Sequence, residues 1–427
     1  MILVALVFAV LVTIGMPIAF AIGISGAVFF LQNPDLPFTI PVQLGVSQTQ
    51  NFALLAIPLF ILAGNLMNQS GITEKLLNLA SVITGRLRGG LAQVTIALSA
   101  LMGGVSGSAI ADAAMQSRML GPEMLRRGMS RGYAAGILSY SSILTPIIPP
   151  GIGFIIYGTI GQVSIGRLFA AGFVPAALLW IALSAAVTIT ARRRGYPPER
   201  AKAPTLGETV SAFRGGIWAL LFPVLLLAGL RSGLFTPSEI GAVAVVYALF
   251  VGVVIHRRMG RREIGESLEG SVADVGGTMF LIALSAIFAY GIVYERVPDT
   301  ISTAMLDTSF GLHGVMVMIV LFLLVAGFFV DATVLIIILT PIFLPLILDL
   351  GGDPVHFGVV FIVAATIGNF TPPVGAAMYA VCAILKCPIA DYARESTPFL
   401  IAVALATIVL VFIPDVVLFV PDLLFGF

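Results

Sequence analysis

The sequence predicts an all-α polytopic membrane protein built as an inverted-topology repeat, with two re-entrant helical hairpins and two discontinuous helices. Three observations lead there. Of 427 residues, 59% are hydrophobic and 10% charged, and the mean hydropathy of +1.08 is outside the range of water-soluble chains of this size. Apolar stretches of about 18 residues or more recur along the whole length, so the excess forms many spans. Two of those stretches carry the same charge signature on both flanks, and therefore return to the side they came from. The 22 basic and 21 acidic residues leave a net charge of +1. The basic residues form short clusters between spans, which argues membrane orientation and against nucleic-acid binding. Cys382 and Cys387 sit beside a predicted cytosolic loop and read as having no redox or metal role.

Ile2 to Leu31 has no basic start and no small-residue cleavage site, and is too long for a signal-peptide core. It reads as the first span, crossing once with a bend at Gly15 and Pro17. The loop Gln32 to Asn51 carries Asp35 and no Lys or Arg, whereas Glu74 to Arg88 carries Lys75, Arg86 and Arg88. The positive-inside bias therefore puts the amino terminus in the cytoplasm. Gly90 to Leu120 is apolar, yet has Arg86 and Arg88 before it and Arg118, Arg126, Arg127 and Arg131 around its end. Its middle, Met102-Gly-Gly-Val-Ser-Gly-Ser108, is too glycine-rich to continue a helix. This predicts a cytoplasm-facing hairpin over about 90–120.

The next crossing, about 132–162, contains Ser139-Tyr-Ser-Ser-Ile-Leu-Thr-Pro-Ile-Ile-Pro-Pro-Gly151, and its prolines unwind it in the middle. Phe169 to Thr190 returns to Arg192, Arg193 and Arg194, closing a first half over 1–191. The polar segment 192–215 reads as a cytoplasmic linker. A second half, 216–427, opens with spans from Ile217 to Leu230 and Glu239 to Ile255, followed by the basic cluster Arg257, Arg258, Arg261 and Arg262. After a crossing from Val275 to Val293, the loop to His313 holds Glu295, Asp299 and Asp307 against Arg296 and reads as periplasmic. Gly314 to Leu348 is broken at Gly327 to Asp331 and at Pro341 and Pro345, and its far flank has no Lys or Arg. It is the second hairpin, about 314–349, facing the periplasm. A second broken helix, about 357–385, crosses inward through Ile367-Gly-Asn-Phe-Thr-Pro-Pro-Val-Gly375, and a last span, Thr397 to Val420, leaves the carboxyl terminus outside.

The halves share a spacing. Gly104 precedes Pro149 by 45 positions, and Gly327 precedes Pro372 by the same 45 (149 − 104 and 372 − 327). Hairpin, interval, Pro-Pro break and reversed flank together give the pattern of an inverted repeat. In such folds opened backbone at mid-membrane offers carbonyl oxygens to a cation, while half-helix amino ends face an anion. Ser106 and Ser108 with Ser142 and Thr145 are candidates for a first sodium site. Asp331, Asn369 and Thr371 are candidates for a second, although each hydroxyl has helix back-bonding or tip capping as an alternative and Asp331 has helix capping. An ionisable group at membrane depth is costly and marks function by default. Asp112 is placed nearer the cytoplasmic mouth.

Several strings resemble the large membrane subunit of the tripartite ATP-independent periplasmic (TRAP) transporters, DctM type. They are Leu55-Ala-Ile-Pro-Leu-Phe-Ile-Leu-Ala-Gly64, Gly-Gly-Val-Ser-Gly-Ser-Ala109, Pro146-Ile-Ile-Pro-Pro-Gly151, Phe235-Thr-Pro-Ser-Glu239, Asp353-Pro-Val-His-Phe-Gly358 and Thr371-Pro-Pro-Val-Gly375, in order along nearly the whole chain. The resemblance implies an elevator-type carrier in the bacterial inner membrane that imports an organic acid anion, such as a dicarboxylate or sialic acid, with sodium ions and no organic cofactor. It also implies a periplasmic substrate-binding protein and a small four-helix membrane subunit of DctQ type, expected here as a separate polypeptide. The two sodium sites it implies map onto Gly103, Ser106, Gly107 and Ser108 with Ser142, Thr145 and Pro146, and onto Gly327, Asp331, Ala332 and Thr333 with Asn369, Thr371 and Pro372. With no Lys or Arg at the centre of a predicted span, the substrate carboxylate is expected to rest on sodium, half-helix amides and hydroxyls, with Asn65, Ser106 and Asn369 nearest to it.

Other readings are a stand-alone sodium/dicarboxylate symporter without a binding protein and, more remotely, an intramembrane serine protease. The protease would use Ser106 in Gly104-Val-Ser-Gly107, but His256, His313 and His356 fall at span ends or in loops, with no evident route to it. The absence of a Gly-x-x-x-x-Gly-Lys-Ser/Thr loop argues against an ATPase. Inverted hairpins suit alternating access better than the fixed pore of a passive channel. The chain therefore reads as a carrier and not an enzyme.

Overall fold

The computed structural model describes residues 2–37, 39–200, 202–297 and 311–426. The loop acids Asp299 and Asp307 lie outside the described residues. The described residues are helical almost throughout, without strands. Seven helical segments among them are long and apolar enough to cross a membrane. Large side chains such as Ile181, Val246, Leu405 and Phe419 face outward, as expected where the surrounding solvent is hydrocarbon. With lipid as apolar as leucine, close packing between helices depends on small residues.

In chain order, α1 (Ile2–Thr13) and α2 (Ile18–Gln32) are separated at Gly15, whose φ is +87°. α3 (Ile40–Thr49), α4 (Ala56–Gln69) and α5 (Ile72–Thr84) follow. The first hairpin is α6 (Leu91–Gly103) and α7 (Ala109–Met119), then the short α8 (Gly121–Arg126). The first broken helix is α9 (Arg131–Ser141) and α10 (Ile152–Ile160), followed by α11 (Ile165–Ala171) and α12 (Phe173–Arg194). α13 (Leu206–Arg231), α14 (Pro237–Leu249) and the long α15 (Arg261–Tyr294) come next. The second hairpin is α16 (Gly311–Ala326) and α17 (Ala332–Asp349), and the second broken helix is α18 (Pro354–Phe370) and α19 (Ala376–Leu385). α20 (Ile389–Phe412) and α21 (Pro414–Phe425) end the chain.

Four boundaries differ from the sequence reading. α17 runs unbroken through Pro341 and Pro345; apolar packing holds it together despite two missing N–H donors. The segment 192–215 is helical at both ends, because α12 continues to Arg194 and a capping box at Thr205 and Glu208 starts α13 before the apolar run. α15 begins at Arg261, so its first turns are polar. The last apolar stretch is two helices, divided at Ile413 and Pro414.

Each hairpin packs on the broken helix that follows it. A Cβ on Gly368 of α18 would stand 2.7 Å from Gly327 Cα, and one on Gly103 of α6 would stand 2.6 Å from Ile148 Cβ. Both breaks hold a cis Pro-Pro bond, at Pro149-Pro150 and Pro372-Pro373. A buried tyrosine satisfies backbone that a helix end leaves open: the Tyr392 hydroxyl donates to Phe370 O, the last carbonyl of α18, at 2.7 Å. The Tyr157 hydroxyl ties α10 to the start of α18 by donating to Pro354 O at 2.8 Å.

Candidate functional site

The tip of the first hairpin is an opened turn between Gly103 and Ser108. Val105 and Ser106 N–H both donate to Met102 O at 2.8 Å, and Gly107 has a φ of +63°, a conformation that glycine reaches without strain. The Ser108 hydroxyl accepts from Ala111 N at 3.4 Å and starts α7. At the second tip, Asp331 Oδ1 accepts from Thr333 N at 2.8 Å and starts α17. The other oxygen, Oδ2, accepts from Asn369 Nδ2 at 3.1 Å, which ties the second tip to the second break. The capping alternative for Ser108 and Asp331 is therefore realised, but at Asp331 it occupies one oxygen only.

Between the two tips lies a cavity of about 350 Å³. Ser106, Gly107, Ser108 and Pro146 line it from the first half, Asp331, Ala332 and Thr333 from the second, and Asn65 of α4 closes one side. Asn65 is held by donating to Ser271 Oγ at 2.9 Å and to Asp274 Oδ2 at 3.3 Å on α15. Three helices begin at the cavity wall: α7 at Ala109, α10 at Ile152 and α17 at Ala332. Helix amino ends carry unsatisfied N–H groups and the positive end of the helix dipole. The lining holds two carboxylates, Asp274 and Asp331, and among the described residues no Lys, Arg or His.

The remaining predicted residues stand behind this cavity. Ser142 and Thr145 are fully buried. Ser142 Oγ back-bonds to Leu138 O at 2.9 Å, whereas Thr145 Oγ1 donates to Asp112 Oδ2 at 2.9 Å. Thr371 Oγ1 back-bonds to Ile367 O at 2.8 Å. Asn369 is buried, and its Oδ1 has no hydrogen-bond partner. Gly103 and Gly327 are contact points between hairpin and break, and neither they nor Thr371 and Pro372 line the cavity.

Asp112, expected nearer the cytoplasmic mouth, is 1% exposed and stands at the centre of a side-chain cluster with Ser99, Gln116 and Thr145. The reading also passed over Asn68, Asp274 and Thr278 in the cavity wall. A carboxylate four positions after the cap Ser108, inside an apolar stretch, was the available signal for Asp112. Asp274 gave a weaker one, because it follows the polar first turns of α15. All three histidines are engaged away from Ser106: His256 Nδ1 with Ser70 O at 3.0 Å, His356 Nε2 with Leu410 O at 2.7 Å, and His313 stacked on Phe412 at 5.5 Å. Ser106 thus lacks the adjacent base that nucleophilic catalysis requires.

Comparison with known proteins gives a consistent answer. The model of the family described as "Tripartite ATP-independent periplasmic transporter, DctM component" matches residues 5–416. The chain is 35% identical to the 2,3-diketo-L-gulonate TRAP transporter large permease protein YiaN of Escherichia coli K12, over 95% of both chains. It is 34% identical to the C4-dicarboxylate TRAP transporter large permease protein DctM of Pseudomonas aeruginosa, over 94% of both. Among solved structures, the Alcanivorax borkumensis YdaH transporter superposes with a TM-score of 0.63 over 86% of each chain, at 16% identity. That likeness concerns the fold.

Proposed function

The chain belongs to the DctM family of tripartite ATP-independent periplasmic transporters, as a multi-pass large permease subunit for organic acids, and from that premise we propose a sodium-driven importer with an elevator mechanism. The observation that carries the proposal is the cavity between the hairpin tips. Three helix amino ends converge on it, while its side chains contribute carboxylates and no cation. An organic anion there is attracted by the helix ends and repelled by Asp274 and Asp331. Bound cations resolve that conflict: a sodium ion at each tip neutralises the carboxylate field and completes the anion site, so neither binds well without the other. The substrate carboxylate then rests between Ser106, Asn65 and the start of α7.

Site one uses Gly103, Ser106, Gly107 and Ser108 with Ser142, Thr145 and Pro146. Site two uses Gly327, Asp331, Ala332 and Thr333 with Asn369, Thr371 and Pro372. At site two the free Asn369 Oδ1 and the singly capped Asp331 are suited to a hard cation. Each hairpin is packed on its own break, which supports their moving together as one body that carries the cavity across the membrane. A small membrane subunit and a periplasmic binding protein complete the system. The amino terminus lies in the cytoplasm and the carboxyl terminus in the periplasm of the bacterial inner membrane.

The test is uptake of labelled organic acids into proteoliposomes holding this chain and its small subunit, with and without an inward sodium gradient and the cognate binding protein. Uptake that needs both is expected. Sodium-driven uptake without the binding protein would return the stand-alone symporter, and indifference to sodium would remove both ion sites.

A further inference from the structure

The first hairpin carries a polar cluster that its capping and turn geometry do not need. Asp112 Oδ2 accepts three hydrogen bonds, from Ser99 Oγ at 2.8 Å, Gln116 Nε2 at 2.8 Å and Thr145 Oγ1 at 2.9 Å. Its other oxygen, Oδ1, is buried with no hydrogen-bond partner, and so is Gln116 Oε1. Gln116 Nε2 also donates to Ser99 Oγ at 2.7 Å. Acceptors on both sides of Nε2 fix the amide and leave Oε1 outside these hydrogen bonds. A buried carboxylate with one saturated and one bare oxygen is costly without a compensating positive charge. No Lys, Arg or His forms an ion pair with it among the described residues.

The same positions in the second half show that the cluster is not a packing requirement. The repeat offset of 223 (327 − 104) places Ser99 on Phe322, Asp112 on Leu335, Gln116 on Leu339 and Thr145 on Gly368. At these positions the second hairpin carries apolar residues and the break that follows it carries glycine. Asp112, itself buried, also borders open space. It lines a second cavity, of about 320 Å³, with Gln69, Thr73 and Met115, and this cavity shares Asn68, Ser106 and Ala111 with the cavity between the tips.

We propose that Asp112 Oδ1, assisted by Gln116 Oε1, is the charged ligand of a monovalent cation held behind the first hairpin tip and reached past Ser106. The inference rests on the sodium-coupled reading and deepens it: the formal charge of the first ion site comes from the body of α7 and not from the tip. The bare oxygens supply hard ligands, as sodium prefers. Thr145 and Ser99 hold the carboxylate in place, so an ion bound there locks the first hairpin to the first break.

The experiment measures binding of radiolabelled sodium to the purified complex of this chain with its small subunit, together with thermal stability in sodium against choline. Asp112→Asn is expected to raise the half-saturating sodium concentration about tenfold or more, or to remove one bound ion per carrier, as loss of a charged ligand does. Gln116→Met, which keeps the carboxylate, is expected to weaken sodium binding about threefold. Unchanged sodium binding in both variants overturns the inference while leaving sodium coupling intact. A wild-type complex that binds no sodium fails at the earlier reading. An Asp112→Asn carrier altered only in its response to a proton gradient overturns the inference by assigning the carboxylate to a proton. Should Asp112→Asn not fold, Gln116→Met alone decides, with unchanged affinity counting against the site.

Discussion

The two hairpins solve one geometric problem with different chemistry. Each presents an opened tip followed by a capped helix, and each packs on a Pro-Pro break 45 positions after the tip glycine. At the second tip the carboxylate is the cap itself, Asp331, with apolar residues such as Leu335 and Ile336 behind it. At the first tip the cap is a neutral serine, and the carboxylate stands one turn further in, as Asp112, surrounded by side-chain donors. The difference teaches that the repeat conserves backbone openings and not ligands. A neutral tip needs its charge from elsewhere, and a charged tip needs none behind it. The contact with the following break differs in the same way. Thr145 bears a side chain that bonds Asp112, whereas its counterpart Gly368 has no room for one.

Making the second half resemble the first tests that contrast most severely. In Gly368→Thr the new Cβ meets Gly327 Cα at 2.7 Å and Leu324 O at 3.0 Å. Backbone cannot yield as a side chain does, so the cost should exceed the roughly 1–3 kcal/mol of ordinary overpacking. Loss of the folded carrier in detergent, followed by size-exclusion chromatography, is the expected result; a folded Gly368→Thr would mean that the second hairpin is not clamped. Next in size is Asp331→Asn, which keeps the shape and the bond to Thr333 N but removes the charge. Loss of a charged interaction of about 2–3 kcal/mol predicts about 100-fold weaker sodium-driven uptake with the fold preserved. Equal sodium dependence before and after would reduce Asp331 to a cap.

A smaller pair separates the two breaks. Thr145→Val deprives buried Asp112 of one of three donors and should cost about 1.5–3 kcal/mol of stability. Thr371→Val removes only a back-bond to Ile367 O and should cost less than about 1 kcal/mol. Thermal unfolding of the two variants side by side measures the gap. Equal losses would show that Asp112 is not held by its neighbours, and reduced sodium affinity in Thr371→Val alone would mark Thr371 as a ligand.

Much of this architecture was legible because glycine and proline act through the backbone, where the sequence is explicit. Met102-Gly-Gly-Val-Ser-Gly-Ser108 cannot stay helical, and the structure opens there; Pro149-Pro150 and Pro372-Pro373 cannot donate N–H groups, and both helices break at them. Proline is less decisive when packing compensates, as at Pro341 and Pro345 within α17. Charge clusters marked where segments turn, but not where helices start, because Thr205 and Glu208 form a capping box inside what reads as a linker. The lining of the cavity between the tips was legible where it follows the backbone, at Ser106, Ser108 and Asp331. It was not legible where it depends on which helix face turns inward. Asp112 is a lone acid in an apolar stretch and Asp274 one beside a polar segment, and only the packing of α7 and α15 buries the first in a cluster and brings the second to the cavity wall.

The mildest substitution bears directly on what a tip residue is for. Ser108 and Asp331 occupy equivalent positions (331 − 108 equals the repeat offset of 223), and both cap a helix. If capping is the whole role of the position, Ser108→Ala and Asp331→Ser should rank by the bonds they disturb. Ser108→Ala loses an acceptor whose bond to Ala111 N is 3.4 Å long, so its cost should fall near the low end of about 0.5–2 kcal/mol for a lost cap. Asp331→Ser keeps a competent cap but gives up the Oδ2 bond from Asn369 Nδ2, so it should cost about 1 kcal/mol more than a cap alone. If the second tip instead holds the ion through its own carboxylate while the first borrows Asp112, stability and ion affinity separate. Ser108→Ala should then lower the unfolding temperature slightly and weaken sodium binding only about threefold, because a neutral ligand and no charge is lost. Asp331→Ser should lower stability in choline by no more than the lost Asn369 bond, about 1 kcal/mol, and abolish the added stability in sodium. Thermal unfolding of both variants in the two salts reads both quantities at once, and parallel behaviour would show that the two tips are chemically equivalent after all.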